Sequence, residues 1–426
     1  MAENESKTSR DETAGLAARA AKLLAGPVGL ALFGLAAFGI LAAFSGHRFL
    51  HQSRAPHFIW QAMAFLHGSL SLVDDPPNLE DWVRLGGQWF VSFPAFPALV
   101  MVPFAALFGY AFNDTSFTVA AAALSLTAFL ALLRRLCGMG VMEMDARTRC
   151  FWTAVLGFGT LFFYCAIRGE VWFTAEVMGV GLTSLFLLCA VGARHPVLAG
   201  LFYSMATLTR TPLAFAAVFF VAEVVFPEGR FSWAALKEDR RGKLRKLLLF
   251  AAGALPLAAA HMAFNYARFG SVTEFGHSLF WNNRVNADIA RWGLFNVHYL
   301  GRNLQAAFLK FPRLSLSPFR LGYDPHGMSL FITTPLFLLL FWPKGRTRLT
   351  LALWCAALAV ALPGLFYQND GYMQFGFRFS LDYTPFLILL VAMKARTVRA
   401  PLVIALAAAG LAVNTWGAVA FHGYSW

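Results

Sequence analysis

The chain has 426 residues, of which 58% are hydrophobic and only 13% are charged, and its mean hydropathy is +0.58. Such a composition excludes an ordinary soluble domain and indicates a membrane protein. The formal net charge of +13 does not indicate a nucleic-acid partner, because the basic residues stand in short segments beside apolar runs, where membrane orientation accounts for them.

The first apolar run covers about 27–45 and follows a polar tail, 1–26. A cleaved signal peptide would begin closer to the terminus and end in a small-residue cleavage site. Here the segment 45–48 leads directly into a polar loop. We therefore predict a retained signal anchor, with the tail 1–26 in the cytoplasm.

Ten further apolar runs contribute to the predicted membrane domain. They lie near 117–133, 150–167, 171–192, 197–208, 212–226, 247–265, 328–342, 349–366, 384–393 and 401–420. With the first run, and at roughly 20 apolar residues per span, they predict an all-α polytopic membrane protein of about 11 transmembrane helices. We expect a single integral membrane domain over 1–426.

The polar segments between the apolar runs are of two kinds, which alternate along the chain. One kind is short and basic: 134–149, 230–246, 344–348 and 394–399. The other is richer in His, Asn, Asp, Glu, Trp and Tyr: 46–116, 168–173, 265–326 and 367–383. Short basic loops mark the cytoplasmic side. The second kind is therefore predicted on the non-cytoplasmic face, where 46–116 and 265–326 are the two long loops.

The positions of the basic loops also decide whether two further apolar stretches cross the membrane. Pro94–Phe112 is apolar but contains three prolines, and counting it as a span would place Arg134 and Arg135 outside the cytoplasm. We therefore predict an interfacial or re-entrant helix there. The stretch 197–226 connects two cytoplasmic basic segments, so it must be a hairpin whose tip carries Arg210 to the far side.

The first long loop begins with a segment, 54–73, that is apolar at helical spacing. It predicts an amphipathic helix on the membrane surface, closed by Gly68. Four acids follow: Asp74, Asp75, Glu80 and Asp81. With Pro94–Phe112, the loop has two surface helices flanking an acidic segment, which would form a roof over a lipid-linked substrate.

Four segments carry a family resemblance: Trp60–Leu70, Phe93–Gly109, Arg168–Glu170 and Gly200–Pro212. They resemble parts of the C-type glycosyltransferase (GT-C) superfamily, the polytopic enzymes that use polyprenyl-phosphate sugars. The resemblance covers most of the chain, in pattern more than in exact motifs. It implies a GT-C-like fold and transfer of a sugar from a polyprenyl-phosphate donor to a lipid or envelope-glycan acceptor. It also implies a bacterial inner membrane location, with the active site facing the periplasm.

One position departs from the family pattern. The family has an acidic residue, usually Asp, at the start of its first surface helix, where this chain has Arg54-Ala55-Pro56-His57. A base is needed to deprotonate the acceptor hydroxyl. Three explanations stay open: the base has moved to Asp81 (Asp74 or Asp75 being less favoured), His57 replaces it, or this relative does something else.

Several cations at the ends of predicted spans suit a phosphate group, because a guanidinium donates hydrogen bonds as a two-pronged fork. Arg210 is the clearest, since a charge inside an apolar hairpin is expensive and is functional by default. The predicted substrate-binding residues are Arg54, Arg168, Glu170, Arg210, Arg268, Glu274, Gln374, Arg378 and Asp382. The competing interpretation makes Arg168–Glu170 and Arg378–Asp382 structural ion pairs.

No metal site or cofactor is predicted. His195 and His261 have no paired ligand at metal spacing, and Glu143-Met144-Asp145, which weakly resembles an Asp-x-Asp metal motif, lies on the predicted cytoplasmic side. Dependence on a divalent metal stays open. The five cysteines lie outside the far-side loops, so neither a disulfide nor a thiolate metal site is expected. The expected partners are the donor, the acceptor and membrane lipids.

The alternative function is a lipid or polysaccharide transporter, or an envelope assembly factor without catalysis. A transporter would have charges at mid-membrane and inverted repeats. In this sequence the charged groups crowd one surface, which favours the enzyme.

Topology is directly testable. In a cysteine-free background, Gly138→Cys and Gly242→Cys should react with a membrane-impermeant thiol reagent only after the cytoplasmic side is opened, whereas Ser71→Cys should react in intact cells. Reaction of the Gly242→Cys variant from outside would contradict the predicted orientation.

Overall fold

The computed structural model describes residues 26–281, 283–316 and 319–422. The predicted cytoplasmic tail therefore lies outside the described residues, apart from Gly26. The described part is mostly helical, and every predicted apolar run falls on helical structure. Two β-hairpins correct the all-α prediction.

The α-helices are α1 (Pro27–Ser45), α2 (His57–Leu66), α3 (Phe96–Phe108), α4 (Asp114–Gly138), α5 (Ala146–Phe158), α6 (Phe162–Ala166), α7 (Val171–Ala190), α8 (Pro196–Thr207), α9 (Ala217–Val225), α10 (Trp233–Lys237), α11 (Arg240–Phe269), α12 (Asn286–Trp292), α13 (Leu300–Leu304), α14 (Leu330–Thr333), α15 (Thr350–Phe366), α16 (Thr384–Ala395) and α17 (Ala400–His422). The strands are β1 (Trp82–Leu85), β2 (Gln88–Val91), β3 (Arg313–Leu316) and β4 (Phe319–Gly322). Short 3₁₀ segments include Thr211–Ala216, Pro335–Phe341 and Arg378–Asp382.

Five of the described helices are long and apolar enough to cross a membrane: Pro27–Leu50, Asp114–Gly138, Val171–Ala193, Arg240–Phe269 and Ala400–Phe421. Other predicted spans form apolar helices of 10–17 residues. A multi-pass membrane protein is thus supported, while the count of about 11 spans stays a prediction.

Local sequence explains several helix ends. Pro27, Pro97 and Pro196 occupy first-turn positions, where a missing N–H costs nothing. The Asn113 side chain caps α4 by accepting from the backbone N–H groups of Thr115 and Ser116, at 2.9 and 3.0 Å. These residues fix where the four helices α1, α3, α4 and α8 begin.

Both helices predicted in the first long loop are present. Helix α2 ends just before Gly68, which has the predicted left-handed conformation, with φ +64°. Phe58, Ile59 and Ala62 of α2 are buried in one cluster with Ala98, Met101 and Ala105 of α3. The two helices therefore form one packed unit, and its location at the membrane surface stays a prediction.

Between these helices the chain forms the hairpin β1–β2, paired from Trp82↔Val91 to Leu85↔Gln88. Its two-residue turn is Gly86-Gly87, with φ +58° and +81°. Positive φ at both positions is what a tight hairpin turn requires, and glycine adopts it without strain. The sequence therefore carried the hairpin signal that the all-α prediction overlooked.

Helices α8 and α11 approach each other closely through two glycines. A Cβ atom at Gly200 would lie 2.0 Å from the carbonyl oxygen of Phe250, and one at Gly253 would lie 2.0 Å from that of Val197. Small residues allow such backbone contact between apolar helices. This contact holds α11 against α8, the helix that precedes Arg210.

We expect Gly200→Ala to destabilise the protein by about 1–3 kcal/mol, because its methyl group overlaps a backbone oxygen and the helices must separate. Gly39→Ala in α1 is the matched control, since a Cβ there meets nothing within 4 Å. Thermal unfolding in detergent should show a lower Tm for the first variant only; equal Tm values would contradict the close packing.

Candidate active site

A cavity of about 630 Å³ lies where the first loop, the segment after α8, the long loop 265–326 and the loop 367–383 meet. Its charged lining residues are Arg54, Glu80, Asp81, Glu170, Arg210, Glu274, Arg284, Arg378 and Asp382. Aromatic side chains fill much of the remaining wall. Seven of the predicted site residues therefore line this one cavity: Asp81, Arg54, Glu170, Arg210, Glu274, Arg378 and Asp382. Glu80 of the predicted acidic segment lines it as well.

The Asp81 carboxylate is held by one donor on each oxygen. Trp172 Nε1 donates to Oδ2 over 3.0 Å, and Asn283 Nδ2 donates to Oδ1. Burial raises the pKa of Asp81, while these two hydrogen bonds and the charge of Arg378 oppose the rise. The remaining lone pairs of an ionised Asp81 are available to accept a proton.

Asp81 occupies a strained backbone position, with φ +56°. A non-glycine residue in this region costs on the order of 1 kcal/mol, and Asp tolerates it better than most. Two hydrogen bonds offset this strain. Ser92 Oγ donates to the Asp81 carbonyl oxygen over 3.1 Å. The backbone N–H of Trp281 donates to the Trp82 carbonyl oxygen over 2.8 Å. Asp81 is thus fixed by the strand that begins directly after it.

The structure places His57 outside the cavity lining. Its side chain is fully buried and stacks on the Trp82 indole, with ring centroids 3.8 Å apart. Nε2 donates to the Glu80 carbonyl oxygen over 2.9 Å. Burial lowers the pKa of His57 to about 4. Of the two bases predicted from the sequence, only Asp81 is brought to the cavity.

Two arginines and two carboxylates form a buried cluster in the cavity wall. Arg210 binds Asp382 through two hydrogen bonds of 2.8 Å, from Nε and from Nη2. Glu176 Oε1 lies 3.9 Å from Arg210 Nη2 and 3.8 Å from Arg378 Nε. The predicted structural pair Arg378–Asp382 is therefore wrong, because Asp382 is taken by Arg210.

Arg378 is the member of this cluster with free donors. Its residue surface is 5% exposed, and Nε and Nη1 have no hydrogen-bond partner among the residues that the structure describes. A buried donor without a partner costs free energy. A guanidinium held in this way on a cavity wall suits an anionic ligand.

Two predicted binding residues, Arg168 and Arg268, hold the surrounding structure instead. Arg168 pairs with Glu170 and donates to the Phe421 carbonyl oxygen over 2.9 Å. Arg268 donates to the Val91 carbonyl oxygen over 2.8 Å and so ties α11 to β2. Neither lines the cavity. Arg168 is paired by the protein itself. Arg268 is held by hydrogen bonds to Val91 and Asn265, although its Nε has no partner among the described residues.

Gln374 also lies outside the lining, yet it bears on the site. Its side-chain oxygen accepts from the Arg378 backbone N–H over 2.9 Å, and Nε2 donates to the His326 carbonyl oxygen over 2.9 Å. Gln374 therefore fixes the backbone that carries Arg378 rather than contacting the cavity.

The rim of the cavity is more polar. Arg54 and Glu80 form an ion pair of 2.8 Å that is partly exposed to solvent, so it contributes little to stability. Glu274 accepts from the backbone N–H of Gly276 over 2.6 Å and from the Ser278 hydroxyl. These groups shape the opening towards the long loop.

Sequence reasoning missed Trp172, Asn283 and His277, all of which line the cavity. Trp172 follows the Arg168–Glu170 motif by two residues, so its position next to a predicted site was a usable signal. Asn283 lies 202 residues from Asp81 along the chain, and no spacing indicates their contact. Burial lowers the pKa of His277 to about 4, which makes it a neutral imidazole in the wall.

Comparison with known proteins adds a fold-level likeness. No family model matches the chain, and no curated protein matches it by sequence. The apo crystal structure of the Archaeoglobus fulgidus oligosaccharyltransferase is similar, with a TM-score of 0.50 and 12% identity over 92% of this chain. The oligosaccharyltransferase AglB from the same archaeon, in complex with an inhibitory peptide and a dolichol-phosphate, has a TM-score of 0.48 and 13% identity.

The chain spans 56% of the length of either oligosaccharyltransferase chain. At such low identity the likeness concerns the fold alone. The neighbour with a TM-score of 0.50 has the GT-C fold of a membrane glycosyltransferase. The GT-C resemblance expected from the sequence is thereby confirmed for the architecture.

The two donors on Asp81 generate a prediction about its ionisation. Trp172→Phe removes a hydrogen bond that stabilises the charged carboxylate, so the pKa of Asp81 should rise further. Carbodiimide reacts with protonated carboxyl groups; its reaction at Asp81, followed by peptide mass spectrometry, should therefore extend to higher pH. Trp89→Phe is the control, because it removes an indole from strand β2. An unchanged pH dependence in Trp172→Phe would contradict the assigned contact.

Proposed function

We propose that the protein is a membrane glycosyltransferase that moves a sugar from a polyprenyl-phosphate carrier to a lipid or envelope-glycan acceptor. One observation carries the proposal: a partly buried carboxylate, fixed by two hydrogen bonds, and a buried arginine with donors that have no partner among the described residues line the same cavity. These are Asp81 and Arg378. The likeness to an oligosaccharyltransferase fold is compatible with this chemistry.

The reaction needs one proton acceptor and one stabiliser of negative charge. Asp81 accepts the proton of an acceptor hydroxyl, and the resulting oxygen nucleophile bonds to the anomeric carbon of the donor sugar. The bond from that carbon to the carrier phosphate breaks, and its electron pair stays on the phosphate. The Arg378 guanidinium stabilises the phosphate charge. A single displacement of this kind inverts the anomeric configuration.

A single phosphate matches the cations that are free to bind it. Arg210 is already bound by both oxygens of Asp382, and Arg284 lies over the Tyr372 ring at 4.1 Å. Arg378 alone in the buried cluster presents donors without partners in the described part of the chain. One guanidinium balances the one charge of a phosphodiester.

The apolar side of the cavity supports a lipid-linked donor. Phe215, Val360 and Pro363 line the wall formed by the 3₁₀ segment after Arg210 and the end of α15. Phe215 and the neighbouring Leu362 are 51% and 52% exposed, so this wall continues onto an apolar outer surface. Burying a polyprenyl chain there is favourable at about 0.8 kcal/mol per CH₂. We place the reaction on the periplasmic face of a bacterial inner membrane.

Asp81→Asn should lower turnover by roughly 10²–10⁴-fold, because it keeps the shape of the carboxyl group and removes its basicity. The test is transfer from a panel of labelled polyprenyl-phosphate sugars in liposomes, with donor binding measured separately and expected to persist. Asp75→Asn, in the exposed part of the same loop, is the control. Wild-type activity should also fall as the pH drops through the raised pKa of Asp81.

Normal turnover of Asp81→Asn would remove Asp81 from the mechanism. Donor binding with no transfer to any acceptor, in the wild type, would favour the transporter or assembly-factor alternative.

Arg378→Ala should weaken use of the donor, and Arg378→Lys should restore it only in part, since an ammonium lacks the planar fork. Arg245→Ala, in the basic stretch at the start of α11, is the control and should behave as the wild type. Arg210→Ala is less informative, because it leaves the buried Asp382 without its partner and should destabilise the fold. Equal donor KM values for all Arg378 variants would exclude the phosphate contact.

A further inference from the structure

His57 contacts the residues on both sides of Asp81, although it does not line the cavity. Its Nε2–H donates to the carbonyl oxygen of Glu80 over 2.9 Å. Its ring stacks on the Trp82 indole, with centroids 3.8 Å apart and planes 9° apart. The imidazole therefore bridges the chain immediately before and immediately after the proposed base.

We propose that His57 is a positioning residue that holds the Asp81 carboxylate in the cavity by gripping Glu80 and Trp82. This inference rests on the proposed function, in which Asp81 is the base. It assigns a role to the residue that stands where the GT-C resemblance leads one to expect an acid. The His57 side chain holds the residues on either side of Asp81 and does not itself enter the cavity.

The backbone of Asp81 explains why such a grip is needed. Its φ of +56° is an unfavourable conformation that persists only where the surroundings over-determine it. Ser92 holds the Asp81 carbonyl oxygen, and Trp172 holds one carboxylate oxygen. The peptide group that precedes Asp81 is held by His57. Without the His57 contact, the backbone at Asp81 can leave its strained conformation. The carboxylate would then move from its position in the cavity.

The chemistry of the imidazole suits a fixed donor. A carbonyl oxygen only accepts hydrogen bonds, so Nε2 must carry the proton. The ring packs against Trp82, Phe93 and Trp172, which are uncharged, and the titratable groups near it are Glu80 and Asp81. Burial lowers the pKa of His57 to about 4, so the ring stays neutral through pH 6–7 and its grip does not change there.

The first test needs no turnover. Full-length protein in liposomes is treated with a carbodiimide and an amine, and labelling at each carboxyl group is quantified by peptide mass spectrometry. In the wild type, Asp81 should react more slowly than the exposed Asp74 and Asp75 of the same loop. In His57→Ala it should react at the rate of those two.

The matched control is His67→Ala, directly after the other end of α2, where the ring is exposed and bonds the Met63 carbonyl oxygen; Asp81 should stay protected. His57→Phe keeps the stacking and His57→Gln keeps a donor, so each should give partial protection. These two variants keep the test valid if His57→Ala folds poorly. Wild-type protection of Asp81 in all three His57 variants would overturn the proposal.

The second test separates positioning from catalysis. His57→Phe should lower kcat by about 10²-fold, the scale of a 1 Å misplacement, and leave the donor KM unchanged. The acid limb of its pH profile should move to lower pH, because a released Asp81 is better solvated. A loss of folded protein alone would not move this limb.

The outcomes distinguish the two claims. Sugar transfer by the wild type with an unchanged kcat and pH profile in His57→Phe would refute the positioning role and leave the proposed function standing. Absence of transfer by the wild type would refute the proposed function, and the labelling experiment would still decide whether His57 holds Asp81.

Discussion

Charge buried in an apolar interior must be compensated on the spot, and this constraint organises the far end of the bundle. Glu176, Arg210, Arg378 and Asp382 stand together as two cations and two anions. Removing charges from water costs several kcal/mol per ion, which only close partners offset. The cluster therefore fixes α7 against two irregular segments, after α8 and before α16, and these segments build the cavity wall.

The two arginines of this cluster are not equally paired, and the less well paired one can bind a substrate. Arg210 is saturated by Asp382, whereas Arg378 keeps donors without partners in the described residues. Asp81, which lines the same cavity, accepts two hydrogen bonds and keeps lone pairs that can accept a proton. A substrate that brings one anion and one hydroxyl would complete both sides of the site.

Local sequence signals predicted the local structure well. The end of α2 at Gly68 followed from glycine chemistry, and the apolar runs became helices. The hairpin turn at Gly86-Gly87 was equally readable but was overlooked. Composition could not separate Arg378, which faces the cavity, from Arg268, which bonds a carbonyl oxygen. That difference arises from contacts between residues distant in the chain, which no spacing records.

The left-handed backbone at Asp81 restricts how this protein can evolve. Asp and Asn are the non-glycine residues most at home at positive φ, so a copy that acquires Asn at this position keeps its backbone and loses only a charge. Glutamate, the other carboxylate, lacks this conformational preference, and its longer side chain would displace the carboxylate from Trp172 and Asn283. Under the proposed mechanism, duplicated genes can therefore yield folded, inactive paralogues in one step, whereas an acid of another length cannot replace this one without rebuilding the hairpin.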